Sequence, residues 1–138
     1  MFDSELKRYL ETDAELVSYV GTHAGLPSVF SEAAPEGVAF PYIVFRIVVA
    51  ATEAPAVCRG VVFVDYYNYD TSRTRARKVA EKIEYLLDHK ILNHDRYDSI
   101  RFFFSDGSFT PEPDPRAIHY NVQFDFRAGR KAWARQFA

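Results

Sequence analysis

A chain of 138 residues with a net charge of −2 is sized for one compact domain and lacks the basic surplus on which general nucleic-acid binding rests. Its single cysteine, Cys58, excludes an intrachain disulfide, and no stretch comes near the ~20 consecutive apolar residues that span a bilayer. Hydrophobic residues at 48% supply a core, and 12 Phe with 9 Tyr in so short a chain favour strands and contact surfaces.

The first ten residues are charged and carry no apolar run of the signal-peptide kind, so cytosolic synthesis is expected. Residues 3–20 predict helix, with Leu6, Leu10, Leu16 and Val20 apolar among mixed charges. Thr12-Asp13 is placed to split it in two, the Asp13 carboxylate capping the second piece, and Gly21 ends it. Gly25, Pro27, Pro35 and Gly37 mark a loop that leaves room for a short strand at 28–31. Pro41 opens a long strand. Ile43, Phe45, Ile47 and Val49 form its wholly apolar face and are expected in the core; Tyr42, Val44, Arg46 and Val48 face the other way. Residues 50–55 read as a hairpin tip and 56–67 as the return strand, a pair long enough to project beyond the body.

Asp70-Thr71-Ser72 offers helix-starting oxygens. The helix predicted to follow, to about residue 89, has a buried stripe of Ala76, Val79, Ala80, Ile83, Leu86 and Leu87. Residues 100–105 predict a strand, Asp106-Gly107 a turn, and Phe109 a short continuation. Pro111, Pro113 and Pro115 lack amide donors, so 111–115 is a stiff connector and not a paired strand. Ile118, Tyr120, Val122, Phe124 and Phe126 alternate with His119, Asn121, Gln123, Asp125 and Arg127 in the clearest strand of the chain, one face buried and one wet. Gly129 is expected to stop it. The order of elements gives an α+β fold: an antiparallel sheet of about four to five strands with one main helix packed on a face, plus an N-terminal helix and a long β-hairpin. Residues 1–138 are expected to form one domain, with 129–138 a basic C-terminal tail.

No residue pattern carries chemistry. His23, His89, His94 and His119 lack the i, i+4 spacing of a helical metal site, and ordinary surface histidines explain them. Cys58 has no base or cation assignable beside it, so a core or interface cysteine is the plain reading. The serines lack a nucleophile elbow. Asp106, Ser108, Glu112 and Asp114 are rich in oxygen but miss the EF-hand spacing, and a turn before a proline loop accounts for them. No catalytic, metal or cofactor residue is therefore expected, and no enzyme.

Contact surfaces are better supported. Arg73, Arg75, Arg77 and Lys78 set positive charge in the first turns of a helix, against its dipole. An acidic surface opposite them would explain that placement; local pairing, as of Arg77 with Glu81, is the alternative. Trp with Arg is the composition of interface anchors. The candidate contact residues are Thr52 and Glu53 at the hairpin tip, Arg73 and Arg77 at the helix start, and Arg130, Lys131, Trp133 and Arg135 in the tail.

Four segments in order, "DAELVSYVG" at 13–21, "APEGVAFPYIVFRI" at 34–47, "VDYYNYDTSRTRARKVAEKIEYLL" at 64–87 and "EPDPRAIHYNVQFDFRA" at 112–128, give the chain its resemblance to a known family. Over residues 13–128 it resembles the tail-terminator and tail-completion proteins of long-tailed phages and prophages, the lambda-type tail terminators among them. Pro41-Tyr42-Ile43-Val44 and the helix entry are the most distinctive pieces. The resemblance implies a virion structural protein: a ring, hexameric in that family, on the head-proximal end of the tail tube. Such a ring ends tube polymerisation and joins tail to head. Its implied partners are further copies of itself, the tail tube protein and the head connector or stopper, with DNA passing through the lumen unbound and no membrane contact. A near-neutral chain suits that passage, since a basic wall would hold the phosphates. Two alternatives stay open: a head-side neck subunit (stopper or adaptor), and a small ligand-binding or enzymatic α+β domain, which would need a cavity with convergent polar groups.

Overall fold

The computed structural model describes residues 2–54, 57–70 and 72–131. The N-terminal segment splits where the sequence indicates, into α1 (Asp3–Glu11) and α2 (Ala14–Ser18), and the Leu16 amide donates to Asp13 Oδ2 at 2.8 Å. A two-residue turn with positive φ at Ala24 and Gly25 joins β1 (Thr22–His23) to β2 (Leu26–Pro27), the conformation a tight hairpin requires. Then follow β3 (Val29–Ser31), β4 (Tyr42–Ala54), β5 (Val57–Tyr69), α3 (Thr74–Leu87), β6 (Ile91–Leu92), β7 (Tyr97–Thr110) and β8 (Ala117–Arg130).

The main sheet has six strands in the order β3-β4-β5-β8-β7-β6, one more than the upper estimate from sequence, and it is mixed. β3 lies parallel to β4, Val29 opposite Ile43, because the loop from Glu32 to Pro41 carries the chain back to the level at which β3 began. β6 is the added strand; two residues between a helix and a long strand leave too little periodicity to detect. The β4–β5 hairpin is long but does not stand free of the body. β5 pairs with β8 along its whole length, from Val57 opposite Gly129 to Tyr69 opposite Ala117. β4 continues as strand to Ala54, which corrects the reading of 50–54 as hairpin tip; 55–56 lie outside the described residues.

Two further expectations are corrected. Asp106-Gly107 is not a turn: β7 runs through it as one strand. A bulge between Phe104 and Asp106 absorbs the change of phase that reads as a break in the sequence. α3 starts at Thr74, after two staggered side-chain turns in which the Ser72 amide donates to Asp70 Oδ1 and the Thr74 amide to Ser72 Oγ. It ends at Leu87, where Asp88 turns extended.

The helices cover one face of the sheet. α3 packs on β8, β7 and β5 through Ala76, Val79, Ala80, Ile83 and Leu87, while Leu86 is half-buried. α1 lies beside β3 and sends Leu6 and Leu10 into the core. Phe2, ahead of α1, meets Phe102 and Phe126 edge-on. The Tyr9 hydroxyl donates to the Leu86 carbonyl at 2.6 Å, and Lys82 reaches Asp13 and Glu15, so the three helices are tied to one another. Ile118, Val122, Phe124 and Phe126 are buried as expected, with Tyr120 half-buried. Burial fades along β4: Ile43 and Phe45 are fully buried, Ile47 is half-buried and Val49 is 45% exposed. The hairpin end of β4 has outrun the helical layer. Among the described residues no helix is long and apolar enough to cross a membrane.

Candidate interaction surfaces

Among the described residues the face of the sheet opposite the helices carries no helix, and the register orders its side chains into rows across β4, β5, β8 and β7. From the Pro111–Pro115 end towards the hairpin end they read Tyr42–Tyr67–His119–Thr110, then Val44–Asp65–Asn121–Ser108, Arg46–Phe63–Gln123–Asp106, Val48–Val61–Asp125–Phe103, and Arg59–Arg127–Arg101.

The first row is an aromatic stack. Phe40 lies on Tyr42 (5.2 Å), Tyr42 on Tyr67 (5.0 Å) and Tyr67 on His119 (4.2 Å). Burial, with the adjacent Asp65 charge, pushes the Tyr67 phenol up to about 12. At the end of the stack His119 Nε2 lies 2.6 Å from Asp65 Oδ1, and Nδ1 lies 2.9 Å from Glu112 Oε1. Two carboxylates accept from both ring nitrogens only when both carry hydrogen, so this is the geometry of an imidazolium. Burial is the largest single influence on the ring and pulls its pKa down; Asp65 and then Glu112 outweigh it, and the net shift is upward from 6.5. Asn121 Nδ2 donates to the same Asp65 oxygen at 2.8 Å. Asp114, held by Arg116 and by the Tyr69 hydroxyl, anchors the other side of the proline loop. The cluster clamps that loop to the sheet. The Asp106, Ser108, Glu112 and Asp114 oxygens do not converge: Glu112 and Asp114 are committed to His119 and Arg116.

A raised histidine pKa has a definite sign in stability. The protonated clamp contributes in full below the unfolded value near 6.5, and the contribution is lost as pH rises through the higher folded value. The excess in melting temperature of the unchanged protein over His119→Gln should therefore be largest in acid and shrink on the alkaline side. A gap that stays constant across that range would show that the imidazole is not charged in the folded chain.

Those contact residues inferred from sequence that the structure describes fall at two ends of the sheet. Arg73 and Arg77 lie over the Phe109 ring at 4.6 and 5.5 Å, and Phe109 meets Tyr120 edge-on at 4.7 Å. Stacking on an aromatic face, worth about 0.5–1 kcal/mol at an exposed site, offsets part of the dipole penalty of cations in the first turns of a helix. Beside them a groove of about 190 Å³ between α3 and the β7–β8 pair is lined by Arg77, Glu81, Glu84, Phe104 and Gly107. Thr52 and Glu53 sit in the last turns of pleat of β4, and Arg130 ends β8, one residue past Gly129. The Lys131 amide donates to the Arg96 carbonyl at 3.0 Å. Trp133 and Arg135 lie outside the described residues. Thr52, Glu53, Arg130 and Lys131 thus share the hairpin end, away from Arg73 and Arg77. Sequence reasoning misses both the His119 clamp and the arginine row. The first needs the register that brings Asp65 and Asn121 together, and the second spaces its three members over three strands.

The sheet also has two incomplete edges. β3 covers only Ile43–Phe45 of β4, so from Arg46 to Ala54 no described strand lies alongside. β6 pairs with Ile100 and Arg101 of β7; beyond it Lys90 and the Asp88 carboxylate take the Phe102 and Phe104 amides, and Ser105–Thr110 has no described strand alongside.

Comparison with known proteins agrees with this architecture. A chain in the structure of the virion of a native gene transfer agent (GTA) particle superposes with a TM-score of 0.75 at 16% identity, covering 92% of this chain and 93% of that one. A second solved chain matches with a TM-score of 0.63 at 15% identity, covering 92% of this chain and 89% of its own. At such identities the likeness shows the fold alone. A search of curated protein sequences gives no match. The family model described as "Tail completion protein gp17" matches residues 4–129, nearly the whole chain. The chain belongs to the tail completion protein gp17 family and is a structural component of phage-type tails.

Proposed function

We propose that the protein forms a closed ring, hexameric by resemblance, at the head-proximal end of the tail tube, where it stops tube growth and presents a docking surface to the head connector. The observation that carries this reading is the pair of unlike open edges. A ring is built from heterologous contacts, in which two different patches of each subunit meet. The Arg46–Ala54 edge of β4 and the Ser105–Thr110 edge of β7 stand at opposite margins of the sheet, and backbone pairing between them in neighbouring copies would continue one sheet around the ring. Val48 and Val49, 41% and 45% exposed on the β4 edge, are a hazard on a solitary chain and an asset at a contact. The tube protein, the head connector and passing DNA are the partners this reading requires.

Deleting the gene from the phage or inducible prophage that encodes it, followed by negative-stain electron microscopy of the lysate, tests the role. Overlong or irregular tails beside unattached filled heads are expected. Tails of normal length that fail to join heads would transfer the protein to the head side of the neck, and intact infectious particles would remove the structural reading altogether.

A further inference from the structure

The last row of the open face sets three arginines side by side. Arg59 on β5 is directly opposite Arg127 on β8, and Arg127 is directly opposite Arg101 on β7. All three are exposed. Side chains so opposed stand about 5 Å apart across neighbouring strands, and like charges in that position destabilise the pair. The side chains of Arg101 and Arg127 make no hydrogen bond or ion pair with any described residue. The chain as a whole is acidic, with Asp+Glu 19 against Lys+Arg 17, so the row is a local concentration and not a sample of a basic surface. A fold that carries such repulsion between Arg127 and Arg101 is complementary to an anion that arrives from outside.

The row is flanked by recesses with partly apolar floors. One of about 530 Å³ is lined by Ala50, Val61, Phe103 and Asp125 beside Arg59 and Arg127. Another of about 320 Å³ is lined by Val57, Ser99, Phe103 and Gly129 beside Arg101 and Arg127. Phe103 and Arg127 belong to both. A duplex offers phosphates but no side chains to fill apolar recesses; a polypeptide offers carboxylates and side chains together. A second copy offering the same patch face to face would set arginine against arginine.

We propose that Arg127 and Arg101, with Arg59 beside them, form a docking strip for an acidic segment of a different virion protein, its carboxylates paired with the Arg127 and Arg101 guanidinium groups and its apolar side chains seated in the recesses beside Phe103. The strip lies on the open face and not on the β4 or β7 edge, so the inference stands whether or not copies close a ring.

The test is charge reversal in the complete particle. Arg101→Glu and Arg127→Glu are introduced together into the phage or prophage. The purified double variant is expected to melt close to the temperature of the unchanged protein, since the new carboxylate at position 127 is attracted to Arg59 while positions 101 and 127 still oppose like charges. Particle titre is expected to fall at least about 100-fold, the scale of losing a desolvated charge pair. Revertants should carry Asp or Glu changed to Lys or Arg in another virion protein. In assembled tails, Arg101 and Arg127 should be protected from phenylglyoxal relative to the free protein. An unchanged titre, or arginines as reactive in tails as in the free chain, overturns the proposal. So do revertants at acidic residues of this chain, which would assign the strip to a neighbouring copy. Binding of a short DNA duplex that the double variant loses would assign it to nucleic acid and overturn it equally. None of these outcomes decides the gene-deletion phenotype, so the proposal and the ring reading fail separately.

Discussion

Phe124→Asp is expected to leave the chain unfolded. Phe124 has no exposed surface, meets Phe104 edge-on at 6.0 Å, and sits on β8 between Val62 of β5 and Phe104 of β7. Removing a buried phenyl ring alone costs about 3–5 kcal/mol. A carboxylate in its place finds no cation on the apolar helix-covered face and adds the cost of burying an unpaired charge. Together these match or exceed the roughly 5–15 kcal/mol by which domains of this size are stable. Circular dichroism should show loss of the cooperative thermal transition, while Phe124→Leu, close in volume, should keep it at a lower midpoint. A soluble Phe124→Asp protein with an unchanged transition would place Phe124 outside the core.

Gly60→Ala runs against the usual sign. Inside a strand, Ala is ordinarily favoured over Gly by about 0.5–1 kcal/mol. Here a Cβ would meet the Val48 carbonyl oxygen at 2.1 Å and the Phe126 ring at 2.6 Å. One neighbour is backbone, and the other is a fully packed core ring, so neither can give way cheaply. The pairing of β4 with β5 also shifts register beside Gly60, between Val49 and Ala51. A loss of about 3 kcal/mol or more is expected, at the upper end of core overpacking. It should read as a lowered urea midpoint at constant slope. A midpoint equal to or above that of the unchanged protein would mean that β4 does not approach Gly60 this closely.

Much of the fold is legible in the residues because its causes are local. Asp13 caps α2 since a carboxylate three residues ahead of an amide needs no distant partner. The Ala76–Leu87 stripe and the Ile118–Phe126 alternation declare their elements by period, and both are buried as read apart from the half-buried Leu86 and Tyr120. The failures have a common cause. Asp106-Gly107 has the local chemistry of a turn, but Tyr120 covers Gly107 and pairing with β8 carries the strand through, so tertiary structure overrides preference. Burial along β4 ends with the helices that cover it, which its apolar alternation does not reveal.

By itself the sequence determined the helices, the long β4–β5 hairpin, the buried face of β8 and the tail-completion family, because periodicity, capping and the order of segments are properties of the chain in one dimension. The tertiary structure alone decided the parallel docking of β3, the two open edges, the His119 clamp and the alignment of Arg59, Arg127 and Arg101. Each depends on strand register, the one variable that relates residues dozens of positions apart and leaves no mark in the spacing of either strand.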